Sequence, residues 1–464
     1  MSKTTKYDNY YFLGIGGIGM SALARYFKSM GANVAGYDRT RSALCEELER
    51  QGIQITYTDT TDQIPARYKE KEKTLVVFTP AIPKENEQRT WFESQGFLLY
   101  KRAQVLGLIT REKHGLCVSG THGKTTTCNM IANILSQTAD GCNAFLGGIS
   151  NNFKTNLLLS ERTDYTVIEA DEFDRSFHQL RPHIAVITAA DADHLDIYGS
   201  LDSVHESFEH FTSLIQPGGT LILKKGVQIE PRIQENVRLL TYSSEKGAEE
   251  SPDFYAEDIH IEDESIAFDF VSPKGTIRNV RLGVPVRINV ENAVAAMAVC
   301  QLCGASDEEL ATGIATFAGT RRRFEKHGPH IIDDYAHHPA ELKATIESVQ
   351  YIYGQKKILG LFQPHLYSRT RDLAQEFAEA LSLLKDVLLL PIYPARELPI
   401  EGVSSQTILE KITTHNKAIV EKKELLNELD KHDFDLLLTI GAGDIDLLLP
   451  ELENYMESRF QDKK

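Results

Sequence analysis

The stretch Gly120-Thr121-His122-Gly123-Lys124-Thr125-Thr126-Thr127 decides how this chain is read, because it combines a turn, a cation and hydroxyls in the arrangement that holds a nucleotide triphosphate. Leu116-Cys117-Val118 before it reads as a short buried strand. Met130, Ile131, Ile134 and Leu135 after it fall at helical spacing, so the glycines sit between strand and helix. That is a phosphate loop: from Gly120 through Thr121, His122 and Gly123 to Thr126, backbone N–H groups can point at phosphates, and the helix N-terminus adds partial positive charge. Lys124 can reach the outer phosphates and Thr125 can offer its hydroxyl to Mg²⁺. The spacing differs from the common phosphate loop, since a glycine five positions before Gly123 would fall at Val118.

A chain of 464 residues exceeds one ordinary core, and its length suggests about three domains. A formal net charge of -16 argues against sequence-independent binding to nucleic acid or an anionic membrane, so anionic small substrates need local cationic pockets. No uninterrupted apolar run approaches transmembrane length, and Met1 to Asn9 is polar, which leads us to expect a cytoplasmic protein. Six dispersed cysteines fit reduced thiols, and Cys300 and Cys303, in an apolar helical run, read as core packing.

Three α/β blocks emerge. The first, residues 1–112, opens with strand Tyr10 to Leu13, a turn carrying Gly14, Gly16, Gly17 and Gly19, a helix to Met30, and a second strand closed by Asp38. This is a Rossmann-like half. It would hold a diphosphate at the helix N-terminus and a ribose at Asp38, which suits NAD, FAD or a UDP-sugar equally. Thr79 follows a later strand, where ligands dock in such folds. The second block, 113–317, starts at the phosphate loop and ends two apolar strands in Glu169-Ala170-Asp171-Glu172 and Asp193-His194. Glu169 and His194 beside Thr125 would make an oxygen-rich Mg²⁺ cradle. Residues 226–274 read as surface loops and an edge meander.

The third block, 318–464, alternates strands at Ile358 to Phe362, Val387 to Leu390 and Leu436 to Ile440 with helical sequence, so a second open Rossmann-like sheet is expected. Its opening is rich in chemistry: Arg321-Arg322-Arg323, then Asp333-Asp334-Tyr335-Ala336-His337-His338, then Gln363, His365 and Arg369. Cations so placed suit phosphate or carboxylate binding.

The set GIGGIGM, GTHGKTTT, EADE, DADH, NVEN, RRRFE, DDYAHHP and FQPHLYSRTRD, in that order over nearly the whole chain, resembles the Mur ligase family. The resemblance implies a UDP-sugar-binding domain, a central ATPase and a C-terminal ligase domain. It also implies the step that joins L-alanine to UDP-N-acetylmuramate for the peptidoglycan precursor, by way of an acyl phosphate, with ATP and Mg²⁺. Asn289 and Asn292 would lie near adenine, while Arg323 and Asp334 would reach the nucleotide. His337 and Arg369 would hold the alanine carboxylate, with Tyr335 and His365 near it. The catalytic set so implied is Lys124, His194, Arg323 and Asp334, in a monomer or homodimer.

Three positions depart from the family's pattern: Ala189 before the metal-site acids, Ile288 before the first Asn, and Leu366 where relatives often carry Arg. No lysine occurs between His194 and Lys224, so a carbamylated lysine there is not expected. Three further readings stay open: a recycling ligase that attaches an intact tripeptide, a nicotinamide-dependent oxidoreductase built on the glycine turn, and a nucleotide-gated binding protein that has lost its chemistry.

Overall fold

The computed structural model describes residues 7–191, 195–247, 251–263, 265–395 and 397–461. Among these the chain forms three sheets, of five, ten and six strands. It divides into two compact units, one of residues 1–259, 268–281 and 290–318, the other of 260–267, 282–289 and 319–464.

In the first unit the five-stranded sheet is parallel, with Asn9–Leu13 between Asn33–Tyr37 and Thr74–Phe78. Covered on both faces, its central strand reads as continuous hydrophobic sequence rather than alternation. Tyr10 and Phe12 pack toward Phe27, while Tyr11 and Leu13 pack toward Phe92 on the other side. The following helix, Ile18–Ser29, begins directly at Gly17, before the apolar run that marks it in sequence. Gly31, at a φ of 83°, ends that turn of chain with the left-handed conformation that glycine supplies.

The ten-stranded sheet is centred on His114–Ser119, flanked in parallel by Tyr165–Glu169 and Ile184–Ile187. All three strands end on one edge, which places the phosphate loop and the acids together. The polar stretch expected as loops and an edge meander forms the outer strands Arg238–Ser243, Phe254–Glu262 and Ser265–Ser272. Cys300 lies fully buried in the apolar helix Ile288–Leu302, as core packing requires.

The six-stranded sheet of the second unit runs Glu325–His327, Ile331–Asp334, Leu436–Ile440, Ile358–Phe362, Asp386–Leu389, Asn416–Ile419, parallel except for the first pair. Leu436–Ile440, last in sequence, is inserted in the middle.

One polar tie joins the two sheets of the first unit. Asn156, fully buried, donates to the Ile18 carbonyl at 2.6 Å and to Ser21 Oγ at 2.9 Å, and its carbonyl accepts from Arg25. Arg25 also meets Glu47 at 2.9 Å and Gln51 at 3.0 Å. Asn156→Ala would take a buried partner at once from Arg25 Nη1, the Ile18 carbonyl and Ser21 Oγ, so it should lower unfolding stability by about 2–4 kcal/mol. A urea midpoint within error of the parent would refute this tie.

Candidate functional site

The phosphate loop is set by backbone geometry. Gly120 and Gly123 have φ of 137° and 81°, where side chains are strained. A methyl group on Gly120 would strike the Thr188 hydroxyl, and one on Gly123 would lie 2.6 Å from Asn292 Oδ1. The Thr121 amide donates to the Ala189 carbonyl at 3.2 Å and the Thr188 hydroxyl to the His122 carbonyl, so the Thr188 side chain and the Ala189 backbone brace the loop. His122 and Thr121 both face Asp191, at 3.7 and 3.4 Å. The helix Lys124–Leu135 then starts with Gly123 as its cap, a residue with no side chain to bond its first amides, those of Thr125 and Thr126 included.

Lys124 Nζ donates to the Gly120 carbonyl at 2.6 Å and to Glu172 Oε1 at 2.8 Å. Burial works against its charge, but the carboxylates of Glu172 and Glu169 outweigh it and hold the ammonium above its usual pKa. Thr125 Oγ1 donates to Glu169 Oε2 at 2.9 Å. Burial raises the Glu169 carboxyl, with Lys124 opposing. Thr125 and Glu169 thus present two hard oxygen donors side by side, a donor set that fits Mg²⁺. His194 lies outside the described residues. Among the described residues no group of three or more His, Cys, Asp or Glu side chains is arranged to hold a metal.

Sequence reasoning missed Gly147. A methyl group there would collide with the Glu169 carboxylate, so this glycine makes room for the acid. Only the tertiary approach of two distant segments reveals that need.

The glycine turn of the five-stranded sheet opens toward the same acids. A cavity of about 260 Å³ is lined by Gly17, Gly19, Thr79, Arg102, Glu169 and Asp171, among others. Gly14 takes a φ of 84°, and Gly16 leaves room for Cys45 and Asp38. Asp38 accepts from the Gly16 amide at 2.8 Å and the Thr40 amide at 3.0 Å, so its carboxylate fastens the turn. A larger hollow of about 480 Å³ opens beside Asn9, Asn33 and Arg67, at the opposite ends of these strands, and contains none of the predicted site residues.

The second unit gathers its predicted residues in one cluster. Asp334, buried, accepts from the Phe324 and Ala336 amides at 2.8 Å each, which ties the arginine run to the segment after its strand. Arg322 is consumed structurally: it meets Asp333 at 3.1 Å and the carbonyls of Gly443 and Gly441. Arg323 remains 39% exposed, over the Tyr335 ring at 5.5 Å and 3.8 Å from Glu341. His337 Nδ1 lies 3.1 Å from the Tyr335 carbonyl and 3.3 Å from Glu341, and burial lowers its pKa, with Glu341 opposing. Arg369 reaches the His337 carbonyl at 3.4 Å. The rings of His337 and His365 are 6.1 Å apart, and Tyr393 stacks on His365 at 5.8 Å. Glu341 and Tyr393 were missed. Glu341 had a legible signal, four residues past His337 in a helix first turn; Tyr393 comes from a later loop that meets His365 only through an isolated β-bridge, and had none. Asn292 meets Thr127 at 3.4 Å beside the phosphate loop, whereas Asn289 belongs to the second unit and donates to the Val284 carbonyl at 3.1 Å.

Comparison with known proteins agrees with this layout. Residues 9–114 match the "Mur ligase family, catalytic domain", 118–300 the "Mur ligase middle domain", and 322–443 the "Mur ligase, glutamate ligase domain". A Parabacteroides distasonis protein named UDP-N-acetylmuramate--L-alanine ligase is 53% identical over 450 residues, covering 96% of each chain. A Porphyromonas gingivalis protein of the same name is 52% identical, covering 97% of this chain and 99% of its own. The crystal structure of a UDP-N-acetylmuramate-alanine ligase from Thermotoga maritima superposes with a TM-score of 0.78 at 25% identity, covering 98% of this chain and all of the other.

Burial raises the Asp334 carboxyl from 3.8 to about 6, with Arg323 and the two amides pulling the other way. A folded value above the unfolded one means that folding favours the protonated acid. That stability is complete below about pH 4 and is lost as pH rises through about 6. Asp334→Asn cannot titrate and should remove up to about 3 kcal/mol of this decline. Urea unfolding of parent and variant across the window, giving parallel slopes, would refute it.

Proposed function

The chain belongs to the Mur ligase family, and from that premise we propose how its residues divide the work of making an amide bond. It is an ATP-dependent ligase that joins L-alanine to UDP-N-acetylmuramate in peptidoglycan-precursor synthesis. Neither the tripeptide-recycling nor the oxidoreductase reading is favoured by these relatives. One observation carries the mechanistic reading: a single cavity runs from the glycine turn to Glu169, which Thr125 and Lys124 share with the phosphate loop.

A free carboxylate is a poor acyl donor, because its leaving group would be oxide. In the proposed first step the lactyl carboxylate oxygen attacks the γ-phosphorus of ATP, ADP departs, and an acyl phosphate forms. The alanine amine then attacks the carbonyl carbon through a tetrahedral oxyanion, and phosphate leaves with the original carboxylate oxygen. Both steps concentrate negative charge, so cations must already be in place and water kept out. Lys124, turned from Glu172 to the outer phosphates, supplies one. Mg²⁺, held by Thr125, Glu169 and His194, would neutralise phosphate charge. Backbone amides of Gly120 to Thr126 hold the triphosphate, with Asn289 and Asn292 on the adenine side and Arg323, oriented by Asp334, on the nucleotide.

Gly14, Gly16, Gly17, Gly19, Asp38 and Thr79 form the proposed UDP-sugar site, Asp38 acting through the turn it fastens. Arg369 and His337 take the alanine carboxylate, beside Tyr335 and His365. A neutral His337 can accept the amine's proton, as can the departing phosphate. We assign residues 1–112, 113–317 and 318–464 to the three domains, and place the enzyme in the cytoplasm as a monomer or homodimer. No helix among the described residues is long and apolar enough to cross a membrane.

With ¹⁸O in the lactyl carboxylate, one labelled oxygen should appear in released orthophosphate in the presence of ATP and L-alanine. Phosphate without label would rule out the acyl phosphate. Lys124→Ala should cut turnover by at least about a hundredfold and leave UDP-sugar binding unchanged in a direct titration. Equal loss of both would overturn the split between the two sites.

A further inference from the structure

Arg102 opens the helix Arg102–Glu112, and its guanidinium lies against the first turn of the helix Ile18–Ser29. A methyl group on Gly19 would strike Nη1 and come within 3.1 Å of Cζ. Gly19 has no left-handed φ, so its backbone does not demand glycine; the space taken by Arg102 does. Along the cavity that runs from Gly17 to Glu169, Arg102 is the one cation among the described lining residues, facing Glu169 and Asp171.

Its ion pair is loose. Arg102 Nη2 stands 3.3 Å from Asp171 Oδ2, longer than a well-formed charge-assisted contact, and the two side chains keep 26% and 36% of their surface exposed. The adjacent pair is tighter: Lys101 Nζ meets Asp174 at 2.6 Å and anchors the same two segments. Arg102 can therefore leave Asp171 without releasing the turn that carries it. In a protein of net charge -16, a dianion entering this cavity needs a cation at hand.

We propose that Arg102 binds the diphosphate of the uridine nucleotide, and that Asp171 is the placeholder it gives up when the nucleotide arrives. The inference rests on the UDP-sugar reading of the glycine turn. Exchange of one carboxylate for a diphosphate oxygen keeps the guanidinium paired in both states. It gives the turn a side-chain contact that distinguishes a diphosphate from an uncharged nucleoside.

The test is titration of the full-length protein with UDP and with uridine, for the parent, Arg102→Ala, Arg102→Lys and Asp171→Asn, with thermal unfolding as the check on folding. Arg102→Ala should weaken UDP binding by about 10–100-fold and leave uridine unchanged, with Arg102→Lys between. Asp171→Asn should tighten UDP binding, because it removes the competitor; a residue of purely structural importance would not do so. The proposal fails if Arg102→Ala leaves UDP affinity intact or lowers UDP and uridine equally, or if Asp171→Asn weakens UDP. A parent protein that binds no UDP would instead defeat the UDP-sugar reading, and this inference with it.

Discussion

The Lys124 ammonium sits largely out of water between a backbone carbonyl and the Glu172 carboxylate, and much of the first unit is arranged to keep that charge there. An isolated buried ion would be driven to neutrality, so partners are obligatory. Strand Tyr165–Glu169 delivers one acid directly and Glu172 three residues later. The segment beyond is held in turn: Tyr198 donates to the Glu172 carbonyl at 2.6 Å, and Arg175 lies over the Tyr198 ring at 4.8 Å. Asp174 and Arg175 both take left-handed φ, of 52° and 53°. Such conformations persist when surrounding contacts over-determine them.

What could be read from the sequence follows a physical divide. The phosphate loop, the glycine turn and the acids at strand ends were legible because each depends on residues adjacent in the chain: an apolar run, a glycine and a cation in fixed order. The three α/β blocks were legible because parallel strands buried on both faces leave unbroken apolar stretches. The tri-arginine run was legible as a cationic feature but not in its division of labour. Only the positions of Asp333, Gly441 and Gly443 show that Arg322 is bound into the scaffold while Arg323 stays partly open. Arg102 and Gly147 were invisible for the same reason, since each is defined by a segment far away in sequence.

Asp38 shows how a pattern can locate a residue without giving its job. An acid about twenty residues after a glycine turn reads as a ribose ligand. Here both carboxylate oxygens accept backbone amides, one from the turn itself, so the side chain sets the shape of the loop. Asp334 repeats the lesson in the second unit, where two amides occupy an acid that its neighbours' chemistry marks as functional. Carboxylates that fasten loops and those that meet ligands share a sequence signature, because both sit where parallel strands end.

The strand Leu436–Ile440 lies between Ile331–Asp334 and Ile358–Phe362, though residues 363–435 separate it from the latter in the chain. On the ribosome, then, the two earlier strands emerge with no neighbour between them, and their apolar edges must wait for the missing centre. Long-range pairing of this kind is slow and leaves sticky intermediates. The sheet of the second unit therefore closes only once Leu436–Ile440 has been made, long after the strands on either side of it.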